Sequence, residues 1–259
     1  MAHMLFRTLK RFGIAALALA ASAALPAGAQ TFGNPQKEEI GRVVRDYLLQ
    51  HPEVIQEAIV ELERRQNESQ KTAQIAAIRE TKDALLTSPH SNVVGNLSGD
   101  VTLVEFFDYN CGYCKQALAD VQGLMKADPK LRVVLKDLPV LGPDSVEASR
   151  IALAAKAQLS GDKLFEYHTR LLANRGRVGG ERAVALAREM GLDVARLQKD
   201  SAGAEVNAAL AENQRLAEKL AINGTPAFII GEEVVPGAVG AGPLRQAIAG
   251  VRQCGHAVC

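Results

Sequence analysis

Residues 101–115 read VTLVEFFDYNCGYCK, the segment most informative about the fold. Its first seven residues form an apolar run that is interrupted only by Glu105, a pattern typical of a strand buried on both faces. Cys111 and Cys114 follow at once and open a segment with helical character. The sequence therefore predicts a buried strand that leads directly into a helix with a C-x-x-C pair in its first turn.

The position of the two cysteines favours redox chemistry over a purely structural role. At the start of a helix, free backbone N–H groups and the helix dipole stabilise a thiolate, which is the attacking species in disulfide exchange. We therefore expect Cys111 to be the accessible nucleophile, and Cys114 to be buried one turn deeper and to attack the mixed disulfide. A structural disulfide and half of a zinc site remain as alternatives, although zinc would need two further ligands.

Two charged residues in predicted strands are candidates for proton transfer at this site. Glu105 would be costly in a buried strand without a task or a partner, and its even offset from Cys111 keeps it near the cysteine side of the sheet. A buried carboxyl there can exchange protons with Cys114. Lys136, in the next predicted strand, is expected to be the partner of Glu105, and a charge at an exposed sheet edge is the alternative for both residues.

The segments around this stretch alternate between strand-like and helix-like patterns, as in an α/β domain. Further strands are predicted at residues 93–94, 131–138, 227–230 and 234–235, the last two as a hairpin. Further helices are predicted at residues 145–159, 162–173, 181–190, 194–199, 204–220 and 243–251. The resulting order is strand–helix–strand, a helical insertion, and then the hairpin and a final helix.

The dipeptide Thr225-Pro226 stands directly before the first strand of the predicted hairpin. Proline is tolerated at a strand start, and a cis peptide bond there would turn the chain sharply. We expect the bond before Pro226 to be cis, with an ordinary trans turn as the alternative.

These residues together resemble the DsbA family of thioredoxin-fold proteins. The likeness is carried by residues 105–115 (EFFDYNCGYCK) and 224–228 (GTPAF), and residues 138–145 (LPVLGPDS) are similar to a segment of one bacterial branch. The match covers about residues 90–250 and implies a thioredoxin-like α/β fold with a helical insertion.

The resemblance also implies the roles of the site residues. Cys111 is then the nucleophile, Cys114 the resolving thiol and Glu105 the buried acid. Thr225 and Pro226 form the substrate-binding loop, and Gly112 and Tyr113 join them as substrate-binding residues. The Gly-Tyr pair between the cysteines differs from the Pro-His of the strongest oxidases of the family, which argues against a pure oxidase.

Residues 30–90 are predicted to form a helical extension before the thioredoxin-like domain at residues 91–259. Ile55, Ile59 and Leu62 make a sparse apolar stripe on a highly charged helix, which is not stable alone. The stripe is buried either as a helical cap on the main domain or, as we favour, against other copies in an oligomerisation stalk. The whole chain resembles the suppressor-of-copper-sensitivity C proteins, and this resemblance implies a homotrimer.

Residues 1–29 have the features of a secretory signal peptide. The basic residues Arg7, Lys10 and Arg11 precede an apolar run that is too short to span a bilayer comfortably, and small residues predict cleavage after Ala29. Export to the periplasm places the cysteines in an oxidising compartment. Removal of this segment takes away three positive charges and no acid and changes the net charge from +1 to −2, which gives no reason to expect nucleic acid as a partner.

The C-terminal tail contains the other two cysteines, Cys254 and Cys259, with His256 between them. A disulfide clasp, a frayed end and a soft-metal site for Cu(I) or zinc are the alternatives. We favour the disulfide because of the oxidising compartment.

Two functions follow from these observations. The first is a protein disulfide isomerase or reductase without a cofactor, which acts on unfolded or misoxidised exported proteins and receives electrons from a membrane reductase. The second is a copper-binding protein, connected with copper tolerance, that holds Cu(I) on Cys111 and Cys114 for sequestration or transfer. A reduced thiol pair can do both, so the two functions are not exclusive.

Overall fold

The computed structural model describes residues 33–259, so the predicted signal peptide at residues 1–29 and its cleavage after Ala29 lie outside the described residues. The chain divides into two compact units, with the boundary between Glu61 and Leu62. Among residues 33–259, no helix is both long enough and apolar enough to cross a membrane.

The first unit is helical. Helix α1 (Asn34–Gln50) ends just before Pro52, and α2 (Glu53–Glu80) begins directly after it. This break is the one predicted, because proline suits the start of a helix and disfavours a helical residue before it. No residue of α1 is buried. Exposed apolar side chains occur along both helices of this unit: Ile40, Val43, Val44, Tyr47, Leu49, Ile55, Ile59 and Val60.

The second unit contains a five-stranded mixed sheet. Its strands are β1 (Asn92–Gly95), β2 (Val101–Phe107), β3 (Leu131–Asp137), β4 (Ala227–Ile230) and β5 (Glu233–Pro236). Their order in the sheet is β1-β3-β2-β4-β5, so β2 is central. β2 and β3 are parallel, whereas the other neighbours are antiparallel. All the predicted strands are confirmed.

The helices of this unit also follow the predicted order. They are α3 (Lys82–Leu86), α4 (Gly112–Ala127), α5 (Pro143–Ala155), α6 (Gly161–Leu172), α7 (Gly180–Glu189), α8 (Val194–Ser201), α9 (Ala204–Lys219) and α10 (Ala241–Cys254). Helices α5 to α9 form the insertion between β3 and β4. The predicted helix at residues 145–159 begins earlier, at Pro143, whose fixed φ suits the first turn.

The alternation of side chains along β2 separates two layers of core. Leu103 and Phe107 point to one face of the sheet, which we call face A, and belong to the larger core together with Cys114 of α4. Val104 and Phe106 point to the opposite face, face B, and belong to the smaller core.

The end of α2 and helix α3 belong to the face B core of the second unit. Ala77, Ile78 and Leu85 are buried there. These side chains lie within the extension predicted at residues 30–90, yet they cover the sheet. A truncation meant to leave a folded catalytic domain must therefore keep them.

Candidate active site

Cys111 occupies the N-cap position of α4. Its backbone is extended, with φ −73° and ψ 119°, and the backbone N–H of Cys114 donates to its Sγ at 3.4 Å. The sulfur therefore lies over the free N–H groups of the first turn, where the helix dipole favours a thiolate. Both cysteines are free thiols.

The two thiols differ in access to solvent. Cys111 is 6% exposed, which is less open than the sequence predicts, and Cys114 is 0% exposed, as predicted. Burial raises the pKa of Cys114 well above that of a free thiol. Cys114 therefore stays protonated until a base takes its proton, whereas Cys111 is the sulfur that an incoming disulfide can reach.

The loop at Thr225 and Pro226 lies directly against the reactive sulfur. The Thr225–Pro226 bond is cis, which confirms that expectation. The Cys111 thiol donates a hydrogen bond to the Thr225 carbonyl oxygen, with 3.0 Å between Sγ and O. On the other side of Cys111, Gly112 is exposed and Tyr113 is 68% exposed. All four residues predicted to bind substrate therefore surround Cys111.

Glu105 lies in the middle of β2 and is 2% exposed. The alternation of the strand places it on face A, the side of Cys114. Its Oε1 has no hydrogen-bond partner, and burial raises the pKa of its carboxyl to about 8. The acid is therefore mostly protonated at neutral pH, close to the point where it can both donate and accept a proton.

Lys136 is not the partner of Glu105, and this prediction is wrong. In the register of β2 and β3, Lys136 lies opposite Phe106, so its side chain points to face B. There Nζ donates to the Ala84 carbonyl oxygen at 2.7 Å and to Glu212 Oε1 at 3.0 Å. The side chain is fully buried and joins α3 and α9 to the sheet, away from the cysteines.

Replacing Lys136 by methionine should therefore reduce stability and leave disulfide exchange nearly unchanged. The variant keeps the apolar stem but leaves the Ala84 carbonyl and the Glu212 carboxylate without their cation, which costs about 2 kcal/mol. Urea unfolding and the rate of exchange with oxidised glutathione provide the two measurements. If exchange is slower and stability is unchanged, Lys136 takes part in the reaction and does not have a purely structural role.

Replacing Glu105 by glutamine should change how stability depends on pH. The folded chain keeps a proton on Glu105 up to about pH 8, whereas the unfolded chain releases it near the ordinary carboxyl value of 4.5. The free energy of unfolding of the parent chain therefore falls as pH rises between these values. The Glu105→Gln variant loses this part of the slope, so at pH 8 it should be more stable than the parent by a few kcal/mol.

The measurement is urea unfolding between pH 5 and pH 9, with the exposed Glu181→Gln as the matched control. Resolution of a mixed disulfide on Cys111 should also slow in the Glu105→Gln variant, because Cys114 loses its proton acceptor. If both variants have the same pH slope as the parent chain, Glu105 does not hold the proton.

Asp108 is a site residue that the sequence analysis missed. It is fully buried, and its carboxylate accepts hydrogen bonds from the backbone N–H groups of Asn110, Val140 and Leu141 and from the Ser145 hydroxyl, at 2.7–3.0 Å. One carboxylate therefore fixes the loop before Cys111 to the loop before α5. Both stretches belong to the family resemblance, since Asp108 and Asn110 lie in residues 105–115 and the other three donors in residues 138–145, but nothing in the sequence pairs them.

Asn110 extends this network to the insertion. Its side-chain amide accepts from the Val178 N–H at 2.8 Å and donates to the Val178 carbonyl at 2.9 Å, so it satisfies both backbone groups of that residue. Lys115 donates to the carbonyls of Asn174 and Gly176 at 2.7 and 3.2 Å. The loop between α6 and α7 is thereby held beside the start of α4.

Three further titratable groups lie buried near the site. Burial raises the pKa of Asp137 to about 7 and lowers that of His168 to about 3, so this imidazole is neutral. His168 Nδ1 lies 3.3 Å from the Tyr109 hydroxyl, and burial raises the pKa of Tyr109. No local sequence signal marks His168, because only the fold brings α6 against the end of β2.

The structure joins Cys254 and Cys259 in a disulfide, with 6.2 Å between their Cα atoms. Gly255, with φ +83°, makes the left-handed turn that brings the tail back. Paired sulfurs do not ligate a metal, so the soft-metal alternative for the tail is not the one adopted here. In the part of the chain that the structure describes, no group of three or more His, Cys, Asp or Glu side chains is arranged to hold a metal ion.

A thiol at the N-cap of a helix, a second thiol one turn inside, and a cis-proline loop against the first define a thioredoxin-like thiol–disulfide oxidoreductase. Comparison with known families identifies the family within this class. The DSBA-like thioredoxin domain matches residues 102–249, more than half of the chain, and the chain belongs to that family. The N-terminal domain of copper resistance protein ScsC matches residues 36–68.

Solved structures agree with this assignment. A thioredoxin-like oxidoreductase from Silicibacter pomeroyi is 44% identical, covers 66% of this chain and 98% of its own, and superposes with a TM-score of 0.63. BcfH from Salmonella enterica Typhimurium is 28% identical over 83% of this chain and 95% of its own, with a TM-score of 0.73. Proteus mirabilis ScsC in a transitional conformation is 28% identical over 85% and 96%, with a TM-score of 0.60.

Curated relatives match a shorter part of the chain. The sodium/proton antiporter NhaA 1 of Salinispora arenicola is 30% identical over 141 residues, which are 54% of this chain and 21% of the antiporter. NhaA 3 of Salinispora tropica is 28% identical over a similar stretch. The chain thus spans about a fifth of the length of these relatives.

Proposed function

We propose that this chain is a periplasmic protein disulfide isomerase and reductase, and that Cys111 and Cys114 carry out the reaction on misoxidised exported proteins. The observation that carries the proposal is the pair of free thiols at the start of α4, with the Cys111 sulfur 3.0 Å from the Thr225 carbonyl of the cis-proline loop. Family membership supports the oxidoreductase part, and the difference in burial between the two thiols supports their separate roles.

The first step is common to isomerisation and reduction. The Cys111 thiolate attacks one sulfur of a substrate disulfide, a new S–S bond forms, and the other substrate sulfur leaves as a thiolate. In isomerisation, a different substrate thiolate then attacks the mixed disulfide and regenerates Cys111, so no net electrons are transferred.

Reduction diverges at the second step. Cys114 loses its proton to the carboxylate form of Glu105 and attacks Cys111 Sγ, which releases the substrate as a dithiol and leaves a Cys111–Cys114 disulfide. The fully buried Cys114 needs such an internal base, because water does not reach it. Two electrons from a membrane reductase, the partner that we propose, restore the two thiols.

We further propose that the N-terminal helices hold several copies of the chain together in the active protein. Ile55, Ile59 and Leu62 are 48%, 51% and 53% exposed, which is unusual for a stripe of large apolar side chains at helical spacing. We assign this stripe to the interface of a homotrimer. The match of residues 36–68 to the ScsC N-terminal domain supports an assembly of that type.

Catalysis of disulfide rearrangement in a scrambled, disulfide-rich substrate tests the proposed function. The parent chain should restore the native activity of the substrate, and it should do so without net consumption of reductant once Cys111 and Cys114 are reduced. A chain that only oxidises a reduced substrate, or that leaves the scrambled substrate unchanged, would refute the proposal.

Copper binding is a second candidate, which the match to a copper resistance protein supports. Cu(I) is a soft ion that prefers thiolates, and Cys111 and Cys114 supply two. Competition for Cu(I) against a chelator, with the scrambled-substrate assay run with and without copper, separates the two functions. A copper-binding protein would compete for Cu(I) and show no activity in the scrambled-substrate assay. An isomerase would be active in this assay, and copper should inhibit it.

A further inference from the structure

A groove of about 420 Å³ lies beside the cis-proline loop, and neither the chemistry above nor the family comparison uses it. Gln70 and Gln74 of α2 line one side, and Val234 of β5 lies on the other. An adjoining cavity of about 220 Å³ shares these three residues and continues past Glu233. Together the two make one channel between α2 and β5, within the size range of ligand sites.

β5 is the edge strand on this side of the sheet, and its free backbone groups can be assigned. Gly237 N–H donates to the Pro226 carbonyl at 2.8 Å, which makes these two residues a hydrogen-bonded pair. Because such pairs alternate in an antiparallel ladder, Val234, opposite Ile229, has its N–H and C=O directed away from β4. Among the described residues, no strand pairs with that edge.

The opposite wall of the channel is fixed. Gln74 Nε2 donates to the Leu220 carbonyl at 3.0 Å, and Arg79 forms two hydrogen bonds with Glu232 at 2.7 and 2.8 Å. These contacts tie α2 to the C-terminal end of α9 and to the turn between β4 and β5. The exposed Gln70, with an amide that both donates and accepts, therefore faces the edge of β5 across a preformed gap.

The channel is continuous with the reactive cysteine. Thr225 and Pro226 line its end, and the Thr225 carbonyl contacts the Cys111 sulfur. A polypeptide that lies in the channel would thus arrive at Cys111 without leaving the surface of the protein.

We propose that this channel binds an extended segment of the substrate polypeptide next to its reacting cysteine. The segment adds as a strand to the outer edge of β5 through the N–H and C=O of Val234, and the Gln70 amide bonds its backbone from the other side. Recognition through backbone and amide groups requires no particular side chains, which suits an enzyme that acts on many misfolded chains. The inference rests on the proposed function, since it assigns a subsite to that substrate.

The first test compares two variants of the full chain in exchange with two disulfides. One is a short cysteine peptide carried as a mixed disulfide with glutathione, and the other is oxidised glutathione alone. Gln70→Trp fills the channel and should lower the ratio of the peptide rate to the glutathione rate about tenfold, as expected for the loss of one or two hydrogen bonds. Thr72→Trp, which is exposed, lies about 160° around α2 from Gln70 and lines neither cavity, should leave the ratio unchanged.

The second test follows the amide of Val234 directly. With Cys114→Ala, the peptide stays linked to Cys111, and hydrogen exchange at Val234 should slow about tenfold relative to the free chain because its N–H gains a partner. An unchanged ratio for Gln70→Trp together with an unprotected Val234 would overturn the inference. Protection of Val234 in the free chain that rises with protein concentration would assign the channel to a second copy, and would overturn it as well.

The same exchange rates distinguish a failure of the proposed function from a failure of the substrate channel. A parent chain that exchanges with neither the peptide nor glutathione refutes the oxidoreductase itself. A parent chain that exchanges with both at rates insensitive to Gln70→Trp refutes only the substrate channel.

Discussion

Replacement of Cys111 by serine is expected to lower the rate of disulfide exchange by roughly a thousandfold or more. A serine hydroxyl is not ionised at neutral pH. The variant therefore has no anion that the first turn of α4 could stabilise, and no comparable nucleophile. Exchange with oxidised glutathione, followed by mass spectrometry, measures the loss. The fold should be kept, because the serine oxygen can still accept the N–H of Cys114 at the N-cap.

The matched control for this variant is Cys114→Ser. It should still react with a disulfide and should accumulate as a mixed disulfide on Cys111, because only the second step is lost. Equal loss in both variants, or a mixed disulfide on Cys254 or Cys259, would show that the nucleophile is assigned wrongly.

The second large effect is expected from the apolar stripe on α2. The double variant Ile55→Asp, Ile59→Asp should convert the proposed trimer to a monomer, since burying charged side chains in an interface is strongly unfavourable. The monomer should keep its exchange with glutathione but lose isomerase activity by roughly tenfold, because several copies of Cys111 no longer share one substrate. Both positions are about half exposed in the single chain, so its fold should tolerate the change.

The control adds the same charges at the same spacing on another side of α2. Gln56→Asp, Val60→Asp lies about 100° around the helix and should leave both the assembly and the isomerase activity intact. Light scattering and the scrambled-substrate assay on the same samples decide between the outcomes. A stripe variant that stays trimeric, or a monomer that isomerises as well as the parent chain, contradicts the proposed role of these helices.

Removing residues 30–61 is the corresponding truncation. It ends at the boundary between the two compact units and keeps Ala77, Ile78 and Leu85 on face B. A deletion up to residue 88 would instead expose the sheet and remove the Ala84 carbonyl that Lys136 needs.

Local sequence signals were sufficient for the part of the site that one segment of chain builds. The apolar run Val101–Phe107 and the cysteines after it predicted β2, α4 and the N-cap position of Cys111, because strand period, helix start and cysteine spacing are all local properties. The cis bond before Pro226 was also expected from its place before an apolar strand, whereas the substrate-binding role of Thr225 and Pro226 was implied by the family resemblance alone.

Features that depend on register or on distant contacts were not predictable in this way. The pairing of Glu105 with Lys136 failed because the register of two parallel strands decides which face each side chain takes, and the composition of β3 does not reveal it. The hydrogen bonds of Asp108 were missed because three of the four donors, in Val140, Leu141 and Ser145, lie 32 to 37 residues further along the chain. The packing of Ala77 and Ile78 on face B was missed because α2 is otherwise charged and polar, and two buried apolar side chains do not stand out in its sequence pattern.

We propose that this oxidoreductase works in the reducing direction, as an isomerase and reductase. The most direct test is the oxidation state of Cys111 and Cys114 in the protein taken from its own compartment, after acid quenching and alkylation, with the Cys254–Cys259 disulfide as an internal standard of preserved oxidation. We expect Cys111 and Cys114 to be alkylated, and hence reduced, in most of the molecules. A population in which this pair is mostly a disulfide would instead identify the protein as an oxidase.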